Sequence, residues 1–244
     1  MLAQRAGILN SGTVWTYMNV PGSAWDNVHM KVGILGSGTV GQTLGAGFAK
    51  YGHQVCMGTR NPDDEDVKKW VAATKGASAG TFADAAAFGE MIVLVVLGRI
   101  VNKVIDLAKP ENFAGKVVID ATNPLADAPP VNGVLQYFTG PNESLGEKVQ
   151  QMIPQAHVVK SFNSVGAVHM VNPHYEQGTP TMFLCGDDEG AKSKVSDVIR
   201  QFGWEPFDCG GIISSRALEP LCMLWCLPGF LRNQWTHAFK LLTH

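Results

Sequence analysis

Gly36-Ser37-Gly38-Thr39-Val40-Gly41 lies between the apolar run Lys31-Val32-Gly33-Ile34-Leu35 and a segment of small and apolar residues, Gln42 to Tyr51, that stops at Gly52. No other six residues constrain the fold as much, because a glycine turn from a buried strand into a helix commits the chain to a βαβ unit. The turn leaves backbone N–H groups and the positive end of the helix dipole facing open space, and a pyrophosphate fits there. Glycine is common in this chain, 27 of 244 residues, so the turn alone carries little weight. The strand before it, the helix after it and a second strand at His53-Gln54-Val55-Cys56-Met57-Gly58 make it specific. Gly36, Ser37, Gly38, Thr39, Val40 and Gly41 are therefore expected to hold a dinucleotide.

The tip of the second strand decides which dinucleotide. An NAD site places Asp or Glu there to accept hydrogen bonds from the ribose 2′-OH, whereas this chain has Gly58-Thr59-Arg60-Asn61-Pro62, with no carboxylate before Asp63. Arg60 offers a planar, permanently charged fork for a 2′-phosphate, and Thr59 a hydroxyl donor beside it. A single surface Arg is ordinarily just solvated; its place at the strand tip argues otherwise. With Asn61, these residues predict NADP(H).

Strand and helix patterns then alternate. Met91 to Leu97 is a continuous apolar run that predicts a strand buried on both faces, as does Lys116 to Asp120. Helices are expected over Asp63–Thr74, Phe82–Phe88, Ile100–Leu107 and Leu145–Ile153, and a strand over His157–Phe162. The fold class is α/β, a Rossmann-type doubly wound, mostly parallel sheet. A small C-terminal α/β extension follows, with strands over Thr181–Gly186 and Glu205–Asp208 and helices over Glu189–Phe202, Ser215–Leu227 and Leu231–Leu242. The expected divisions are an N-terminal extension over 1–29, an NADP-binding domain over 30–162 and an acceptor and dimerisation region over 163–244. In the first of these, Gly7 to Val14 echoes Gly33 to Val40, but Asn10 and Trp15 replace two motif glycines. Ligands bind beyond the carboxyl ends of such strands. Leu97, Arg99, Asn123, Pro124, Asn163 and Ser164 are thus further cofactor candidates. Asn123, Asn163 and Ser164 offer polar groups for a carboxamide, and Leu97 and Pro124 an apolar wall. Asn123 before Pro124 also suits a plain turn.

A net charge of −2 leaves no electrostatic footprint for nucleic acid or an anionic membrane. No run approaches the ~18 apolar residues of a membrane span. Cys56, Cys185, Cys209, Cys222 and Cys226 lack paired spacing and read as reduced thiols of a cytoplasmic protein. Cys222 and Cys226 share a helical face without a third ligand nearby, so no metal site is expected. No catalytic acid, base or nucleophile stands out, and His169 and His174 read as ordinary loop or core residues. Trp225, Phe230 and Trp235 suggest a homodimer surface.

With these motifs in place, the chain resembles the NADPH-dependent coenzyme F420 reductase family and is similar to the cytosolic domain of the six-transmembrane (STEAP) ferric reductases. The resemblance rests on the order and spacing of Val32–Gly38, Gly58–Pro62, Asp120–Leu125, Val159–Asn163, Leu184–Asp188 and Ser215–Leu221. It implies hydride transfer between NADP(H) and a small-molecule, flavin-like acceptor such as coenzyme F420 or a flavin, stacked on the nicotinamide under the C-terminal helices. Such a step needs two rings held face to face without water, and no general base. One departure bears on the acceptor: the family commonly has Pro and then a bulky residue where this chain has Gly98-Arg99. Two other readings stay open. An imine or pyrroline-5-carboxylate type reductase shares the N-terminal fold but ends in a mostly helical domain. A sensor module would bind NADP(H) without turnover, and residues Leu221, Leu224, Trp225 and Phe230 discriminate, since they wall an acceptor pocket only in an enzyme.

Overall fold

A computed structural model describes residues 29–242, so the expected extension over 1–29 falls almost wholly outside the described residues. The chain runs β1 (Lys31–Leu35), α1 (Thr39–Lys50), β2 (Gln54–Gly58), α2 (Glu65–Ala73), β3 (Ala77–Gly80), α3 (Phe82–Phe88), β4 (Met91–Leu94) and α4 (Val101–Ala108). It continues through β5 (Val117–Asp120), α5 (Leu145–Met152), β6 (His157–Lys160), β7 (Thr181–Gly186), α6 (Glu189–Gln201), β8 (Glu205–Asp208) and α7 (Ser215–Arg232). All eight strands join one sheet in the order β3-β2-β1-β4-β5-β6-β7-β8. Neighbours pair in parallel except β6 and β7, which are antiparallel. The order reverses between β1 and β4, the switch point at which open α/β sheets bind ligands.

The central strands are apolar on both sides because helices cover both faces. Leu44 and Phe48 of α1 and Val195 and Ile199 of α6 bury one face. Phe82 and Ala85 of α3, Val101 and Val104 of α4 and Val149 of α5 bury the other. Phe202 joins α1 to β6 across the first layer, with its ring 5.0 Å from that of Phe48 and 5.9 Å from that of Phe162. Side chains cap α2 (Asp64), α3 (Thr81), α5 (Ser144) and α6 (Asp188). Gly38 starts α1 with no side-chain cap, which leaves that helix's first N–H groups for something else.

Three features differ from the sequence expectations. Strand β3, only Ala, Ser and Gly, carries no hydrophobic pattern and is recruited by pairing with β2. Strand β4 ends at Leu94, so Val95 to Leu97 turn out toward the ligand side. The first expected terminal helix runs longer and the second, over Leu231–Leu242, is not formed: α7 continues through Pro220 and Pro228 to Arg232 and is capped by Asn233, whose φ of 54° is left-handed. Each proline removes one helical hydrogen bond, but tertiary packing holds the helix. Trp235 lies over Gly229 so closely that a Cβ there would come 2.3 Å from its ring. Residues 233–242 are not helical.

Candidate functional site

The turn between β1 and α1 has the geometry its glycines demand. Gly36 sits at φ +133°, a region closed to side chains, and its N–H donates to the Gly58 carbonyl at 3.0 Å. A Cβ on Gly41 would stand 1.9 Å from the Gly36 carbonyl oxygen, so the helix can approach the turn only with glycine there. Around Gly38 nothing lies within 4 Å of an added Cβ, and that open side is where a ligand backbone would pass.

A cavity of about 590 Å³ opens along this turn, within the ~300–1,000 Å³ of small-molecule sites. Gly36, Ser37, Gly38, Thr39 and Val40 line one end with Thr59 and Arg60; Leu97, Thr122 and Asn123 line the other. The Ser37 hydroxyl donates to Thr59 Oγ1 at 3.2 Å, tying the tip of β2 to the glycine turn. Arg60 is exposed at the cavity rim. The ion-paired arginines among the described residues are Arg99, Arg200 and Arg216; Arg60 pairs with no carboxylate of the described residues.

Of the other sequence candidates, Gly41, Asn61, Pro124, Asn163 and Ser164 do not line this cavity. Gly41 supports the turn from behind. Asn61 shapes the β2 tip by accepting from the Asp63 N–H at 3.2 Å. Asn123 and Asn163 bind each other reciprocally: Asn123 Nδ2 donates to the Asn163 carbonyl at 2.9 Å, and Asn163 Nδ2 to Asn123 Oδ1 at 3.1 Å. Asn163 Nδ2 also donates to the Leu218 carbonyl at 2.9 Å, which leaves Asn163 a buried brace between β6 and α7. Pro124 and Ser164 are buried beside these two. His169 and Tyr175 pair with ring centroids 5.9 Å apart in the loop after β6.

Arg99 lines a second cavity, of about 380 Å³, which shares Leu97 and Leu125 with the first. Its guanidinium lies 3.2 Å from Asp127. Leu221, Leu224, Trp225 and Phe230 do not enclose the acceptor pocket expected of them. The Trp225 ring stacks 5.0 Å from His237 and packs under Trp235 and over Gly166, which fills the space, while Leu224 and Phe230 face outward.

Beneath the cavity floor lies a buried charge network that received no role in the sequence reading. Lys160 Nζ, fully buried, is 2.7 Å from Asp120 Oδ2 and 3.0 Å from Glu219 Oε1, and it donates to the Thr122 carbonyl at 2.9 Å. Glu219 in turn accepts from the N–H groups of Leu145 and Gly146 at 3.0 and 2.9 Å, at the positive end of α5. Burial alone would depress the Lys160 pKa, but the two carboxylates outweigh it and hold the ammonium above its ordinary value. The signal was present in the sequence: each of these charges sits alone in an apolar run. The network clamps α7 to the tips of β5 and β6 and so fixes Thr122 and Asn123 at the cavity.

Burial pushes the Cys185 thiol up to about 11. Among the described residues no group of three His, Cys, Asp or Glu could hold a metal ion, and no helix is long and apolar enough to cross a membrane.

A family model described as NADP oxidoreductase, coenzyme F420-dependent, matches residues 31–124. An Arthrobacter sp. FB24 crystal structure with the provisional name F420-dependent NADP reductase superposes with a TM-score of 0.82 at 30 % identity. That match covers 88 % of this chain and all of the other. The metalloreductase STEAP3 of Rattus norvegicus is 31 % identical over 206 residues, 82 % of this chain and 39 % of that protein. STEAP2 of Homo sapiens is 26 % identical over 193 residues, 78 % and 35 % respectively. The chain thus spans about two-fifths of the length of the curated relatives it matches. A Streptomyces aurantiacus imine reductase shares the fold, with a TM-score of 0.60 at 16 % identity, covering 82 % of this chain and 63 % of that one.

Sheet, glycine turn and relatives define the class as an NADP-dependent oxidoreductase on a Rossmann sheet. Within that class the chain belongs to the coenzyme F420-dependent NADP oxidoreductase family.

Proposed function

We propose that the protein transfers a hydride between NADPH and a flavin-like acceptor, coenzyme F420 or a flavin, bound against the nicotinamide. The observation that carries this reading is the pair of adjoining cavities, one along the glycine turn and one beyond Leu97. Backbone N–H groups of Gly36 to Val40 hold the pyrophosphate at the uncapped start of α1. Arg60, with Ser37 and Thr59, takes the 2′-phosphate. Leu97 and Asn123 border the nicotinamide, and the Asn163 brace keeps Asn123 in place. When bound, NADPH supplies the hydride. The chain supplies position, an apolar wall and exclusion of water, and no side chain is needed as base or nucleophile.

The same protein would work as a cytoplasmic homodimer, with the exposed Leu224, Phe230 and Leu231 near the end of α7 as the contact. The filled space around Trp225 favours a second reading, a sensor that binds NADP(H) without turnover. One experiment separates the two: NADPH oxidation by the purified chain with F420, FMN, FAD and ferric citrate in parallel. Turnover with F420 or a flavin supports the proposal. Tight NADPH binding with no turnover on any acceptor refutes it in favour of the sensor.

A further inference from the structure

The side cavity beyond Leu97 is built from an unusual turn. Gly98 packs so tightly on the tip of β5 that a Cβ there would stand 2.1 Å from the Asn123 carbonyl oxygen. Only glycine fits, and the short 3-10 turn over Gly98–Ile100 then directs Leu97 and Arg99 outward on either side of it. Leu97, half exposed, forms the partition shared by the two cavities. Leu125, Pro129 and Leu135 make the remaining apolar wall, and Arg99 and Asp127 are the charged groups of the lining. Gln136 is committed elsewhere, since its Nε2 donates to the Pro129 carbonyl at 3.0 Å.

The two charges are unequal partners. The Arg99 side chain keeps 43 % of its surface exposed and the Asp127 side chain 83 %, with 3.2 Å between them. An ion pair this solvated contributes little stability, so a ligand can open it readily. Arg99 springs from a turn locked against β5, whereas Asp127 sits on the exposed stretch Asp127–Pro129. Displacing the more solvated partner costs less. The site is therefore set to take an anion on Arg99 rather than a cation on Asp127. The guanidinium fork suits the planar array of a phosphate or carboxylate. It is also separate from the 2′-phosphate position, because Arg60 and Arg99 line different cavities.

We propose that the side cavity is the acceptor subsite and that it selects acceptors bearing an anionic group, a phosphate or a carboxylate, which Arg99 takes up in exchange for Asp127. The inference rests on the hydride-transfer reading above for the word acceptor, but the anion selectivity stands on the cavity itself. In the reaction, NADPH gives a hydride and solvent a proton, so that the acceptor ring becomes its dihydro form and NADP⁺ remains.

The test compares FMN with riboflavin, which share a ring and differ by a phosphate, in steady-state NADPH oxidation and in equilibrium binding to the NADP⁺-loaded chain. A flavin carrying a 10-carboxymethyl group in place of the ribityl chain distinguishes carboxylate from phosphate recognition. Both flavins meet the same cofactor, so the FMN to riboflavin ratio cancels any effect on NADPH. The expected ratio of kcat/KM is about tenfold for the wild-type chain, the lower end for a hydrogen bond to a charged group. It falls toward one in Arg99→Met, through KM, and rises in Asp127→Asn, which removes the competing carboxylate. A ratio that Arg99→Met leaves unchanged overturns the proposal, as does binding of neither flavin. Preferential FMN binding that depends on Arg99, without turnover of either flavin, supports the subsite while refuting flavin reduction. Equal use of both flavins by wild type and variant does the reverse.

Discussion

Replacing Arg60 with alanine removes the one positive charge at the tip of β2 while leaving the Ser37–Thr59 hydroxyl bond that shapes the turn, 3.2 Å, untouched. A guanidinium and a phosphate about 4 Å apart attract by roughly 4 kcal/mol at an effective dielectric near 20. Arg60 is exposed, so water competes, and a charge-assisted hydrogen bond in such a place contributes about 1.5–3 kcal/mol. At about 1.4 kcal/mol per decade, Arg60→Ala should weaken NADPH roughly 10- to 150-fold, and its solvent exposure points to the lower part of that range. NADH carries no 2′-phosphate, and its affinity should change less than about twofold, as for an ordinary surface substitution. Binding is read by titration calorimetry at two ionic strengths. The wild-type preference for NADPH should shrink as salt rises, because an exposed pair is screened, and the variant should show little salt dependence. Equal losses for NADPH and NADH would refute the assignment of Arg60 to the 2′-phosphate and with it the electrostatic reasoning.

Three further outcomes follow from the geometry. Gly41→Ala forces a Cβ to within 1.9 Å of the Gly36 carbonyl, and the resulting shift should cost about 1–3 kcal/mol in denaturant unfolding and abolish the stabilisation that NADPH gives the wild-type chain. Lys160→Met leaves Asp120 and Glu219 as unpaired buried carboxylates, a loss of about 3–5 kcal/mol that Lys160→Met with Glu219→Gln should partly recover in the same assay. Because the folded Lys160 pKa is raised, its stabilisation is complete below the unfolded value near ~10.4 and fades as pH rises through the folded one, so the variant should lose that alkaline component of the pH–stability curve. At the acid end, the hydrogen bonds from Arg216, at 2.9 and 2.7 Å, hold Glu147 below its usual pKa. That contribution is present above the unfolded value of about 4.3 and is lost as pH falls, so Arg216→Ala should lower stability at neutral pH and have no effect in strong acid.

Much of the sheet was legible because its strands are short apolar runs between glycine turns. Met91 to Leu94 and Val117 to Asp120 could scarcely be anything else. β3 was not legible: Ala77-Ser78-Ala79-Gly80 has no pattern and becomes a strand only because β2 offers an open edge. The single helix α7 was obscured by Pro228-Gly229, where local propensity argues for a stop and packing by Trp225 and Trp235 overrides it. At the site, the placing of the glycine turn and of Arg60 along one cavity could be read from sequence spacing. Arg99 could be placed at a strand tip, but not its pairing with Asp127, which lies 28 positions further on in a loop without periodicity.

The sequence by itself determined the βαβ frame and the glycine turn that opens α1, because each depends on residues within about 30 positions of one another. Only tertiary structure decided what lies beyond the strand tips. Lys160, Asp120 and Glu219 meet across three elements, Trp225 packs against His237 and Trp235, and an open cavity lies in the loop beside Leu97. The physical reason is range. Backbone conformation and strand-tip chemistry are set locally, whereas burial of a charge and the shape of a cavity depend on which distant side chains arrive to satisfy or fill them.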